Sequence, residues 1–168
     1  MNPGEKYRNT RHNAGAMALD LLFPEARYRH TGALHGDVAQ LTTDAAEWLL
    51  LKPDTFMNLS GNAVLAAMKK FSLSPAQVVV LHDEVELPPR EVRYKFGGGH
   101  KGHNGLRSII GQIGSADFHR IRIGVGRPRD DRAGIADFLL SVQPVAERAE
   151  KSALEEALGQ VMQSIYNA

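Results

Sequence analysis

Residues 78 to 83 read VVVLHD, four consecutive apolar side chains that stop at a histidine and an aspartate. A half-exposed strand would alternate apolar with polar positions. An unbroken run of this length reads as a strand buried on both faces, the pattern of a central parallel strand. Parallel neighbours need crossover connections, usually helices, and the flanking sequence supplies them. Ala14, Met17, Ala18, Leu21 and Leu22 fall at helical spacing, with Asn13 placed as a cap. Ala63, Val64, Ala67, Met68 and Phe71 mark one face of a second helix over 61–71, and Leu106, Ile109, Ile110 and Ile113 a third. The apolar positions from Ala149 to Ile165 predict a long closing helix over 146–166.

Further strands are expected as a pair in 28–43, over 48–51 before Lys52-Pro53, as the alternating VRYKF of 92–96, and as IRIGVG of 121–126. The sum is an α/β protein: a single domain over 1–168, with a mixed, largely parallel sheet flanked by helices. No repeat or long linker divides the chain. No stretch approaches the roughly 20 apolar residues of a membrane span. The absence of cysteine excludes disulfides and thiolate metal sites and fits a reducing, cytoplasmic setting.

Charge is unevenly spread. Residues 84 to 129 hold nine basic and four acidic side chains, whereas 130 to 168 hold three and seven. A basic block in a nearly neutral protein suggests a local anionic partner such as phosphate or nucleic acid, or else a solvated strand face.

In parallel sheets ligands sit beyond the carboxyl ends of the strands. There the chain offers His12, the carboxylate of Asp83 at the end of VVVLHD, and the amides Asn2, Asn58 and Asn104. A histidine held by a carboxylate is a general base, and neutral amides can bind carbonyls or a developing oxyanion without titrating. With no cysteine and no GxSxG elbow, water is the expected nucleophile. Five of the nine residues from Gly97 to Gly105 are glycine, a loop expected to be mobile or to allow close backbone approach. It lacks the Gly-Lys-Ser/Thr ending of a phosphate loop. His82, His100 and His103 form no helical i, i+4 pair, so a metal is not expected. Lys95, Lys101, Arg120 and Arg122 could contact phosphate or be plain strand charges.

The strings NPGEKYRNTRHNAG, KPDTFMNLSGNAV, HDEVELPP, GGGHKGHNGLRSI and FHRIRIGVGRP resemble, in order and spacing, the motifs of bacterial peptidyl-tRNA hydrolase. The resemblance implies a monomeric, cofactor-free α/β enzyme that cleaves the ester between a peptide and the terminal ribose of tRNA. By position, His12 would activate water and Asp83 would orient it. Asn2, Asn58 and Asn104 would bind peptide and ester, with Tyr7 and Met57 lining the channel. Lys95 and Arg122 would grip a tRNA phosphate.

Two departures stand out. PPRE follows HDEVEL where the family usually has a glycine. The family also places a strand immediately before Asn-Pro-Gly, where here only Met1 stands, so that first strand is expected to be missing and a longer natural chain is expected. The competing function is a non-catalytic RNA-binding protein on the same fold. The set His12, Asp83, Asn58 and Asn104 argues against it, since a binder needs no base.

Overall fold

A computed structural model describes residues 1–44, 46–128 and 134–167. The expected elements form, in the order α1 (Ala14–Leu22), β1 (Arg29–Thr31), β2 (Gly36–Thr42), β3 (Glu47–Pro53), α2 (Ser60–Phe71), β4 (Val79–Glu84), β5 (Val92–Phe96), α3 (Asn104–Ile113), β6 (His119–Gly124), α4 (Ile135–Leu140) and α5 (Lys151–Tyr166). The α4 turn has no counterpart among the sequence expectations. The closing helix begins later than Ala146, because Val145–Glu147 is a separate 3-10 turn.

The strands fall into two three-stranded sheets, β1-β2-β3 and β4-β6-β5. The α/β class with helix-flanked sheets holds, but parallel pairing is confined to β4 with β6; the other pairs are antiparallel. The reason lies in the connections. β1, β2 and β3 follow one another through short turns, as antiparallel neighbours do, whereas β4 and β6 are far enough apart in sequence to be crossed over by α3.

VVVLHD becomes β4, which lies at the edge of its sheet rather than its centre. Among the described residues, no strand pairs with the outer edge of β3 or of β4. A cavity of about 830 Å³ occupies that space, lined on its flanks by Leu49, Leu51, Val79 and Leu81, with His12 and Asp83 at one end. Burial of β4 therefore comes from helices on its faces.

The larger core unites α1, α5 and both sheets around Ala18, Leu50, Ile121, Ile123, Leu154 and Val161. A smaller core on the opposite face of β4-β6-β5 packs Leu106 and Ile109 of α3 on Phe118. Alternation along β6 explains both: Ile121 and Ile123 point to the first core, while Arg120 and Arg122 point to the other face. Among the described residues, no helix is long and apolar enough to cross a membrane.

Candidate functional site

Residues 11–13 make one 3-10 turn that runs straight into α1. The helix crosses β4 at backbone contact, since a Cβ on Gly15 would lie 2.1 Å from the Leu81 carbonyl oxygen. That close approach carries His12 over the carboxyl end of β4. Its Nδ1 lies 3.0 and 2.9 Å from the two oxygens of Asp83.

Asn13 is not the helix cap its position suggests. Its side chain instead accepts from the Asn2 backbone N–H (2.9 Å) and donates to the carbonyls of Asn2 (3.0 Å) and Tyr7 (2.8 Å). These bonds fold the opening loop back onto the 3-10 turn. Arg11 fastens the other side, donating to Glu147, Ser141 and the Val142 carbonyl.

Asp83 is only 3% exposed, and its carboxylate accepts from a second imidazole, His103 Nε2, at 2.9 Å. His103 caps α3: its Nδ1 accepts the Leu106 backbone N–H at 3.2 Å. An imidazole nitrogen that accepts carries no proton, so His103 is fixed as the Nε2–H tautomer and donates to Asp83. The carboxylate in turn takes the Nδ1–H of His12. The Nε2 of His12, which has no partner among the described residues, is left as the basic nitrogen.

Burial works to raise the Asp83 pKa, but His103 and His12 outweigh it and hold the carboxyl far below its usual range. Asp83 therefore stays ionised. The neighbouring His82 is pushed down to about 4, first by burial and then by His103, and stays neutral near pH 7. Its Nδ1 donates to the Asp83 carbonyl (2.7 Å), while its buried Nε2 has no partner among the described residues.

The amides are distributed around this centre. Asn2 is buried, and its Oδ1 accepts the Met57 N–H at 2.9 Å, which leaves Nδ2 without a partner among the described residues. Met57 lines the cavity beside His12 and His103. Asn58 and Asn104 are exposed and directly follow Met57 and His103. Tyr7 is half-buried, with the Lys6 ammonium over its ring at 4.7 Å. His12 with Asp83, and Asn2 with Met57, are thus paired by contacts, whereas Lys95 stands apart from them on β5.

Lys95 pairs in register with Arg120, and Arg93 with Arg122, so all four project from one face of the sheet. Their surroundings differ. Arg122 is held by Glu84, Nε and one terminal nitrogen both 3.0 Å from the carboxylate, so its charge is neutralised in place. Arg120 is not a surface charge at all: it is buried and donates to backbone carbonyls of the glycine loop. Arg93 and Arg127 pair with Glu91 and Glu86. Lys95 and Lys101 enter no ion pair among the described residues. Among the described residues, four of the nine basic side chains of the block, Arg90, Arg93, Arg122 and Arg127, are thus paired with carboxylates.

His103 was visible in the sequence only as a metal candidate, and its bond to Asp83 carries no local signal because the two lie 20 residues apart. His12, Asp83 and His103 are also the one set of potential metal ligands grouped among the described residues, with donor atoms within 4.8 Å of one another. Both imidazole nitrogens already point their N–H groups at the carboxylate, an arrangement that satisfies the cluster by hydrogen bonds.

The family model described as peptidyl-tRNA hydrolase matches residues 1–168. Similar solved structures include the peptidyl-tRNA hydrolase of Acinetobacter baumannii, 33% identical, with 96% of this chain and 87% of that chain covered and a TM-score of 0.82. A peptidyl-tRNA hydrolase in complex with n-propanol matches at the same identity, coverage and TM-score. An arginine-to-glutamine variant of the Acinetobacter baumannii enzyme matches at 33% identity, 97% and 88% coverage and a TM-score of 0.83.

Proposed function

The chain belongs to the peptidyl-tRNA hydrolase family and hydrolyses peptidyl-tRNA, and from that premise we propose that His12 is the base that activates the attacking water. The observation that supports this reading is the tautomer: Asp83 takes the Nδ1–H of His12 and leaves Nε2 basic. Water gives a proton to Nε2 while its oxygen bonds to the ester carbonyl carbon, and the carbonyl electron pair moves onto oxygen. The imidazolium so formed is stabilised by the ionised Asp83. When the bond to the ribose oxygen breaks, the proton passes from His12 to that oxygen, releasing tRNA and a peptide with a free carboxyl group.

Asn2, Asn58 and Asn104 are the amides of this reading. Nδ2 of Asn2 is the best oriented to donate, because its own oxygen is already engaged by Met57. Amide donors favour the oxyanion without changing charge. Met57 and Tyr7 line the peptide side, and Lys95 with Arg122 takes the tRNA phosphate. The enzyme acts as a monomer in the cytoplasm and needs no metal.

The test is release of peptide from N-acyl-aminoacyl-tRNA by the native protein and by His12→Ala. The variant should lose most turnover while still binding tRNA. Unchanged turnover would remove His12 from this role.

A further inference from the structure

Arg120 is 3% exposed, and its guanidinium has no carboxylate partner among the described residues. It donates to the carbonyls of Gly98, Gly99 (2.9 Å) and Ala116 (3.4 Å), and stands 4.6 Å from the Phe118 ring centroid. Burying an uncompensated cation is costly, and a neutral side chain would pack at that depth more cheaply. The site therefore retains both the charge and its forked donors.

Two of the three carbonyls it holds, those of Gly98 and Gly99, belong to the first half of the glycine loop. Gly98 has φ +96, which turns the chain inward, and a Cβ there would lie 2.7 Å from Lys95 Nζ. Lys95 thus folds over the very peptide that Arg120 grips. At its far end the same loop is fastened by His103 to Asp83. The loop is a span fixed at two points, one under Lys95 and one at the catalytic carboxylate.

We propose that Arg120 is a positioning residue for tRNA: by holding the Gly98 and Gly99 carbonyls it sets the height of Lys95 above the sheet, and its unpaired charge adds to the field that draws a phosphate there. This rests on the reading that Lys95 meets a tRNA phosphate. Arg120 touches no reacting atom, so its loss should be felt in binding the tRNA body and not in the chemical step.

Two substrates separate these effects: N-acyl-aminoacyl-tRNA, and an N-acyl-aminoacyl ester of adenosine that lacks the tRNA body. Arg120→Met should raise KM for the tRNA substrate about ten-fold or more with kcat within about two-fold, and leave kcat/KM for the adenosine ester within about two-fold. Arg120→Lys, which keeps the charge but not the fork, should give an intermediate KM. Gly98→Ala pushes directly on Lys95 Nζ without touching the core, and should likewise raise KM if the height of Lys95 matters. Equal losses on both substrates would mean a merely structural role, and native KM in Arg120→Met and Gly98→Ala would overturn the proposal. Lys95→Ala is the control for the underlying reading. If it leaves KM for the tRNA substrate unchanged, the phosphate assignment itself fails; if it raises KM while the Arg120 variants do not, only the positioning role fails.

Discussion

Replacing Asp83 by asparagine should do more than remove a charge, because the two histidines impose contradictory demands on an amide. His103 must donate its Nε2–H, since its Nδ1 is occupied by the Leu106 N–H. An asparagine would answer with its oxygen at the Oδ1 position. Its NH2 group then falls at the Oδ2 position, which lies 2.9 Å from His12 Nδ1 in the native arrangement. His12 Nδ1 then keeps only a share of the Oδ1 oxygen, 3.0 Å away and already taken by His103, and faces a donor at the other position; the repulsion favours the tautomer with the proton on Nε2, which is no base. Holding the correct tautomer against an unsatisfied donor costs about 1–3 kcal/mol, and losing the charge-assisted bond to the imidazolium about 1.5–3 kcal/mol more. Together these slow kcat by about 100- to 10,000-fold, with KM little changed. Single-turnover release of peptide from saturating N-acyl-aminoacyl-tRNA measures the loss. The sharper measurement is Asp83→Asn combined with His103→Ala. With His103 gone the amide can turn its oxygen to His12, and the double variant should exceed the single one by about ten-fold. A double variant no faster than Asp83→Asn, or a single variant within about three-fold of native, would refute the argument.

Other outcomes follow from the same geometry. His82 titrates at about 4 in the folded protein against 6.5 as a free side chain. The unfolded chain therefore takes the proton first, and the stability carried by neutral His82 is complete above pH about 6.5 and is lost as pH falls toward 4. Urea titrations should show native protein losing about 2 kcal/mol between pH about 7.5 and 5 that His82→Asn does not lose; parallel losses would exclude His82 as the source. Affinity for tRNA should fall steeply between about 50 and 200 mM salt, and an affinity independent of salt would contradict phosphate contact. Glu84→Gln removes the carboxylate that neutralises Arg122, so it should tighten tRNA binding several-fold at low salt, whereas an unchanged affinity would place Arg122 off the phosphate path. Turnover should survive excess chelator; its loss would assign a metal to His12, Asp83 and His103.

Periodicity made the helices and most strands legible, and the run VVVLHD located the carboxyl end where the site lies. His12 and Asp83 could be paired by chemistry because few groups on that rim could act as base and orienter. Side-chain bonds between distant segments were not legible. Asn13 looks like a cap from its neighbours alone, yet its amide is consumed by the opening loop. Arg120 and Arg122 look alike as alternate positions on a strand, but one meets glycine-loop carbonyls and the other a glutamate on the neighbouring strand β4. The extent of parallel pairing was overestimated because burial of β4 comes from helices and not from strands on both edges. The glycine loop, expected from composition to be mobile or to allow close backbone approach, shows the close approach at Gly98 and is fastened at Gly98, Gly99 and His103.

His103 joins two jobs that proteins usually keep separate. One nitrogen ends a helix and the other donates to the carboxylate of Asp83, so the first turn of α3, which also carries Asn104, is tied directly to the proposed catalytic pair. Helix ends open and close far more readily than whole domains unfold. Each time the Leu106 N–H leaves Nδ1, the constraint on the His103 tautomer is lifted, and with it the arrangement that keeps His12 basic. On warming, activity should therefore fade before the circular dichroism of the whole protein changes. Activity that instead persists up to the unfolding transition would show that this helix end does not limit the enzyme.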